Sequence, residues 1–172
     1  SVRAAHGELV LRIEDLDTLR CSAENAEILK DDLRWLGLAW DREQPDQSAR
    51  SEYYAGILDR LRGEGFVYPC WCTRGDLKNA ANAPHASDGE TIYAGTCRGL
   101  TEEERAAKAK ERAPLWRLRV PDGDISFIDG HYGPYAENLA RECGDFILRR
   151  ADGVFAYQLA GVADDIDAGV TQ

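Results

Sequence analysis

Three of the chain's five cysteines lie in one stretch: Cys70 and Cys72 form a C-x-C pair, and Cys97 stands alone on the return. Thiolates bind zinc tightly, and a tetrahedral site takes four ligands. The sulfurs would supply three. The fourth must come from the intervening loop, which offers His85, Asp88 and Tyr93. Ligand frequency favours His85, because imidazole is a common zinc donor. Geometry keeps Tyr93 open, since Tyr93-Ala94-Gly95-Thr96-Cys97 is a tight knuckle in which Gly95 allows close backbone approach. The competing reading makes the cysteines small buried hydrophobes. A C-x-C pair is a weaker metal signal than paired C-x-x-C motifs, and zinc is the expectation carried forward.

A second constellation lies near the end of the chain. Tyr157, Gly161 and Asp164 recur at helical spacing, opposite an apolar stripe of Phe155, Leu159, Val162 and Ile166. A tyrosine, a glycine and a carboxylate on one helix face can line a pocket for a small polar ligand. The competing reading is a solvated face with an incidental glycine.

The elements that must position these residues alternate between strands and helices. Gly7 precedes a strand at 8–14, expected to be mostly buried, which ends in the polar turn Asp15-Leu16-Asp17-Thr18. Ligands of open α/β sheets bind at such carboxyl ends. Ser22 caps a helix running to about Leu36, with Ala26, Leu29, Leu33 and Leu36 on one face and Gly37 beyond its end. A second helix at 51–64 carries the stripe Tyr54, Ile57, Leu58 and Leu61. A strand at 66–72 leads into the cysteine knuckle, and residues 79–90 form a polar loop. Thr101 and Glu104 make a capping box that opens an exposed helix through about Arg112. Residues 115–120 and 125–128, around Pro121-Asp122-Gly123, predict a hairpin, followed by a turn-rich connection at 129–134. A strand at 144–150 and the helix bearing Tyr157 complete the order. This is an α/β sheet interrupted by a subdomain.

Composition bounds the function. With 172 residues, of which 44% are hydrophobic, the chain can bury one sizeable core. A formal net charge of −10 argues against nonspecific polyanion binding and leaves a local basic patch for RNA open. No apolar run is long enough to span a bilayer, and no signal peptide is visible. Five cysteines without an export signal read as cytoplasmic thiols or metal ligands. The chain holds no methionine, even at position 1, and reads as a piece of a longer protein.

Taken together, these segments resemble the catalytic region of the class I glutamyl-tRNA synthetases, and most closely the shortened branch of that family that glutamylates queuosine in tRNA(Asp). The resemblance covers almost the whole chain. Its signatures are Arg12-Ile13-Glu14-Asp15-Leu16-Asp17, Leu36-Gly37-Leu38, Trp40-Asp41, Gln47-Ser48 and Arg50. The knuckle residues Tyr68-Pro69-Cys70, Cys72-Thr73-Arg74 and Tyr93 to Arg98 belong to it. So does the run from Gly144-Asp145-Phe146-Ile147 through Arg149-Arg150 to Phe155-Ala156-Tyr157, which is the most specific match. Phe155-Ala156-Tyr157 and the short link from Trp40 to Gln47 favour the shortened branch.

The resemblance implies a class I, Rossmann-like catalytic domain interrupted by a zinc-containing α+β insertion. The implied domains are 1–68, an inserted zinc- and acceptor-binding subdomain at 69–143, and a second catalytic part at 144–172. It implies that Glu14 holds the amino group of L-glutamate and that Tyr157 lines the same pocket. A carboxylate beside an ammonium makes a charge-assisted bond that orients the amino acid. It implies one structural Zn2+ on Cys70, Cys72, Tyr93 and Cys97, displacing the frequency argument for His85. It also implies ATP with Mg2+ as co-substrate, tRNA(Asp) carrying queuosine as acceptor, a monomer and a cytoplasmic location. Asp17, Asp164 and Asp165 are candidates to face the nucleotide or the acceptor nucleoside.

No residue stands out as a general base, so catalysis would rest on positioning and charge stabilisation. The family's H-x-G-H-type and K-M-S-K-S-type ATP motifs are not in the chain, so this stretch alone is expected to be inactive. Relatives read Val-Val-Val-Asp-Asp where this chain has Gly161-Val162-Ala163-Asp164-Asp165, and asparagine is frequent where Gln158 stands. Two other readings stay open: a glutamyl-tRNA synthetase charging tRNA(Glu), and a noncatalytic, zinc-stabilised RNA-binding module.

Overall fold

The computed structural model describes residues 6–73, 75–77 and 92–171. His85, Asp88 and the expected loop at 79–90 lie outside the described residues. The elements in order are β1 (Val10–Leu11), α1 (Ala23–Trp35), β2 (Arg42–Glu43), a 3-10 turn (Gln47–Arg50), α2 (Ser51–Gly63), β3 (Val67–Cys70), α3 (Glu102–Glu111), β4 (Leu115–Leu118), β5 (Asp124–Asp129), β6 (Gly133–Asn138), α4 (Leu139–Glu142), β7 (Ile147–Arg149) and α5 (Tyr157–Ala168). They fall into two compact units, Ser1–Ile57 with Val154–Gln172, and Leu58–Gly153.

In the first unit β1 pairs in parallel with β2. Backbone bonds extend this pairing on both sides, from Asp41 N–H to the Leu9 carbonyl at 2.8 Å and from Gln47 N–H to the Ile13 carbonyl at 3.2 Å. The strand expected at 8–14 is thus shorter than its apolar run, and β1 is half-buried where a mostly buried strand was expected. Ser22 caps α1 by accepting from Asn25 N–H at 3.2 Å, and Gly37 follows with φ +77°, as the sequence pattern predicts. The apolar face of α1 does not pack as expected: Leu29 is 50% and Leu36 63% exposed, and no residue of the helix is buried. Helical spacing fixes which side chains share a face, but burial needs a partner surface, and the described residues supply none.

The buried face of α5 is turned relative to expectation: Phe155 and Leu159 are buried as expected, but Gly161 and Asp164 face inward in place of Val162 and Ile166. Its buried residues are Leu159, Ala160, Gly161, Ala163 and Asp164, while Val162 and Ile166 are 59% and 75% exposed. The reason is polar. Asp164, with no exposed surface, meets the Tyr54 hydroxyl at 2.9 Å, the Gln47 amide at 2.8 Å and Arg50 Nε at 3.0 Å. A buried carboxylate is tolerated when donors and a cation surround it. Gln44 Nε2 also donates to the Asp164 carbonyl at 3.0 Å. The Tyr54 and Phe155 rings meet edge-on, with centroids 5.6 Å apart.

The second unit is built on an antiparallel sheet in the order β3-β4-β7. Its core cluster is Tyr68, Cys70, Trp71, Tyr93 and Cys97. The hairpin expected between 115–120 and 125–128 does not form. β4 pairs with β3, from Cys70↔Leu115 to Val67↔Leu118, and β5 pairs with β6, from Asp124↔Asn138 to Asp129↔Gly133. Val120 diverts the chain: its side chain is buried, and its N–H donates to the Asp145 carboxylate at 2.9 Å. The turn-rich connection at 129–134 is the hairpin turn itself. There Asp129 accepts from the N–H groups of His131 and Tyr132, and Gly133 takes φ +83°. The capping box forms between Thr101 and Glu104, and α3 buries no residue, both as expected.

Candidate functional site

The knuckle assembles because β3 carries Cys70 outward to Cys72, and the turn after Tyr93 returns Cys97 beside them. The three sulfurs lie within 4.8 Å of one another, with Cys72 and Cys97 3.6 Å apart. The Tyr93 hydroxyl oxygen is 3.4 Å from the Cys70 sulfur and 3.9 Å from that of Cys72. Zinc–sulfur bonds of about 2.3 Å at tetrahedral angles would separate two sulfurs by about 3.8 Å. The donor set therefore fits a four-coordinate metal with three sulfurs and one oxygen. Cys21 and Cys143 are exposed and stand outside this cluster.

Burial pushes the Cys72 thiol up to about 12, with the neighbouring Cys70 and Cys97 adding to the effect. Burial also pushes the Tyr93 phenol upward, helped by its contact with Cys70. For Cys97 burial acts in the same direction, but hydrogen bonds from the Trp71 backbone and its polar neighbours outweigh it and hold the thiol below its ordinary value. Without a cation, then, two of these four groups resist the anionic form that metal ligation demands.

The cluster is backed by polar groups that the sequence reading passed over. The Asp145 carboxylate accepts from the Tyr68 hydroxyl and from Val120 N–H, with Arg98 Nε at 3.7 Å. Arg117, also buried, lies over the Tyr93 ring with its guanidinium carbon 3.9 Å from the centroid, and donates to the Asp145 carbonyl at 2.6 Å. Gly144 bridges to Tyr93 with φ +66°, and a β-carbon there would sit 2.9 Å from the Tyr93 carbonyl oxygen. A carboxylate and an arginine inside apolar strand patterns were the available signal in the sequence, because charged residues inside a core need partners.

Glu14 and Tyr157 both belong to the first unit. Glu14 follows β1 outside any regular element, and Tyr157 opens α5 with 58% of its surface exposed. Arg12 links the two segments. Its Nε and Nη2 donate to Oε1 of Glu14 at 3.2 and 2.9 Å, and its Nη1 pairs with Asp165 on α5. Burial works against the Arg12 charge, but the bonds to Asp165 and Glu14 more than reverse this and raise its pKa. Both arginine bonds fall on Oε1, and among the described residues Oε2 of Glu14 accepts none. The Tyr157 ring lies along Gly161, where a β-carbon would meet it at 3.6 Å. Asp17, a candidate for a ligand role, is 3.7 Å from Arg20 on the exposed turn. Asp164 is consumed by its buried contacts.

Comparison with known proteins follows the same lines. A protein from Nitratidesulfovibrio vulgaris named glutamyl-Q tRNA(Asp) synthetase is 52% identical over 182 residues, covering 100% of this chain and 56% of that protein. One of the same name from Thiobacillus denitrificans is 46% identical over 169 residues, covering 98% and 53%. The chain thus spans about half the length of the curated relatives it matches. Among solved structures, a glutamate tRNA ligase from Elizabethkingia meningosepticum, crystallised with its amino acid, superposes with a TM-score of 0.78 at 25% identity, covering 96% of this chain and 36% of that one. A glutamate-tRNA synthetase from Elizabethkingia anophelis, at 24% identity and a TM-score of 0.79, shows the fold alone. The model of the catalytic domain of class I tRNA synthetases (E and Q) matches residues 2–172, and with these relatives it establishes that the chain belongs to that family.

Proposed function

We propose that the protein containing this chain activates L-glutamate with ATP and transfers it to queuosine in tRNA(Asp). The observation that carries this reading is the Glu14 carboxylate, tethered through Oε1 to Arg12 while Oε2 accepts no bond among the described residues. An ammonium at Oε2 would gain a charge-assisted bond. The Arg12–Asp165 pair ties the same segment to α5, so Tyr157 and Glu14 are held by connected elements. Glu14 orients the amino group, Tyr157 walls the pocket, and the substrate carboxylate is then free to attack the α-phosphorus of ATP and release pyrophosphate. The acyl group of the resulting glutamyl-adenylate passes next to a hydroxyl of the queuosine ring, releasing AMP. ATP with Mg2+ is the co-substrate the family implies.

In this reading Cys70, Cys72, Tyr93 and Cys97 hold one Zn2+, which would cross-link the knuckle within an inserted subdomain. The divisions at 68/69 and 143/144 are part of the reading, as are a monomer and a cytoplasmic location. The names of relatives at 46–52% identity support queuosine as the acceptor over tRNA(Glu), whose ligase stands at 25%. The test is pyrophosphate exchange with glutamate and ATP on the full protein without tRNA, followed by glutamate transfer to tRNA(Asp) bearing queuosine and to tRNA(Glu). Exchange without tRNA and transfer to the first acceptor are expected. Transfer to tRNA(Glu) alone would replace queuosine with ordinary charging, and no exchange under any condition would leave a noncatalytic RNA-binding module.

A further inference from the structure

Arg117 is 4% exposed and enters no ion pair within 4.0 Å among the described residues. Its Nη1 reaches only a neutral acceptor, the Asp145 carbonyl at 2.6 Å, and its buried Nε has no hydrogen-bond partner. The nearby Asp145 carboxylate is engaged by the Tyr68 hydroxyl, Val120 N–H and Arg98. A buried cation without a counter-charge is unfavourable by several kcal/mol, so one is expected nearby. The surface it faces is the Tyr93 ring, whose oxygen lies among the sulfurs of Cys70 and Cys72 and accepts from Cys97 N–H at 2.7 Å.

We propose that Arg117 is the positioning residue of the metal cluster, stacking on the Tyr93 ring to aim its oxygen at the ion and compensating the negative charge of the ligand set. The inference rests on the zinc reading given above. Three thiolates and a phenolate around a dication leave the cluster net anionic, and a guanidinium against the ring supplies the opposite charge in a medium where screening is weak. It also explains why a charged residue occupies a buried position of β4, between Trp116 and Leu118. Second-sphere partners of metal ligands typically tune metal affinity by about 10–100-fold.

The test is a double-mutant cycle in the full protein, read by Zn2+ affinity in chelator competition and by the thiolate-to-metal absorption of the Co2+ form. R117M is expected to weaken Zn2+ binding by about tenfold or more and to alter the Co2+ spectrum, with R117K losing less. In a Y93F background, which removes the oxygen to be aimed and one of the negative charges to be compensated, the same substitutions should have a clearly smaller effect. An equal loss with and without Tyr93 would make Arg117 a general packing residue and overturn the proposal, as would unchanged affinity in R117M. Should R117M fail to fold by circular dichroism, the cycle is decided on R117K. A wild-type protein that binds neither metal would remove the zinc reading and this proposal together, whereas a wild type that binds metal alongside an unaffected R117M would remove the proposal alone.

Discussion

The hydroxyl of Tyr54 meets both carboxylate oxygens of Asp164, at 3.0 and 2.9 Å, and neither residue has exposed surface. This contact joins α2 to α5 inside the first unit and decides which side of α5 faces inward. Removing the carboxylate takes the acceptor from Arg50 Nε, 3.0 Å away, and from the Gln47 amide, leaving Arg50 only its pair with Asp167 at 2.7 Å. Asp164→Ala is expected to cost about 3–5 kcal/mol, and Tyr54→Phe about 1–2 kcal/mol. Urea unfolding checks both. A Tyr54→Phe loss as large as that of Asp164→Ala would shift the weight of the contact from the ion pair to the hydroxyl.

The same hydroxyl sets an alkaline limit. Burial, and then the hydrogen bond to Asp164, raise the Tyr54 pKa above its ordinary value. The folded state keeps a proton that the unfolded chain releases from about pH 10. The stability this confers is complete below that point and is lost as pH rises beyond it. The unfolding midpoint should therefore fall more steeply above about pH 10 in the wild type than in Tyr54→Phe. Parallel curves would show that Tyr54 does not contribute.

Metal content distinguishes the cysteines. One zinc per chain is expected in the wild type and in Cys21→Ser, and none in Cys72→Ser, by elemental analysis. Cys97→Ser should lower the melting temperature, and chelator should do the same to the wild type, because metal binding is coupled to folding. Melting curves that neither treatment moves would leave the cluster as buried thiols.

Two glycines should respond in opposite directions. Gly144 has φ +66° and stands against the backbone of Tyr93, so Gly144→Ala is expected to lose at least about 1–2 kcal/mol from the left-handed backbone alone and to weaken metal uptake by displacing Tyr93. Gly161 lies within α5, and an added β-carbon meets only the Tyr157 ring at 3.6 Å, an ordinary contact. Gly161→Ala should raise stability by about 0.5–1 kcal/mol. Thermal unfolding of the pair, with zinc content for the first, checks both signs.

The glutamate pocket is tested at Glu14. A charge-assisted hydrogen bond contributes about 1.5–3 kcal/mol, so Glu14→Gln should lower kcat/KM for glutamate by about 10–100-fold in pyrophosphate exchange, with the KM for ATP little changed. Loss of both in equal measure would point to a folding defect.

The sequence alone determined the features that depend on neighbours along the chain. The Ser22 cap, the Thr101–Glu104 box and the Gly37 terminus follow from local backbone groups seeking partners, and the residue types and order of Cys70, Cys72 and Cys97 marked them as one candidate donor set. Only the tertiary structure decided the rest. Periodicity placed Val162 and Ile166 on one face of α5 and Asp164 on another, but which face is buried depended on Tyr54, Gln47 and Arg50 converging from a distant segment. The partner of β4 was likewise settled by β3 and by the hold of Asp145 on Val120, across 25 residues of chain. Burial of a charge is favourable only where remote groups meet it, and residue spacing along the chain does not record that meeting.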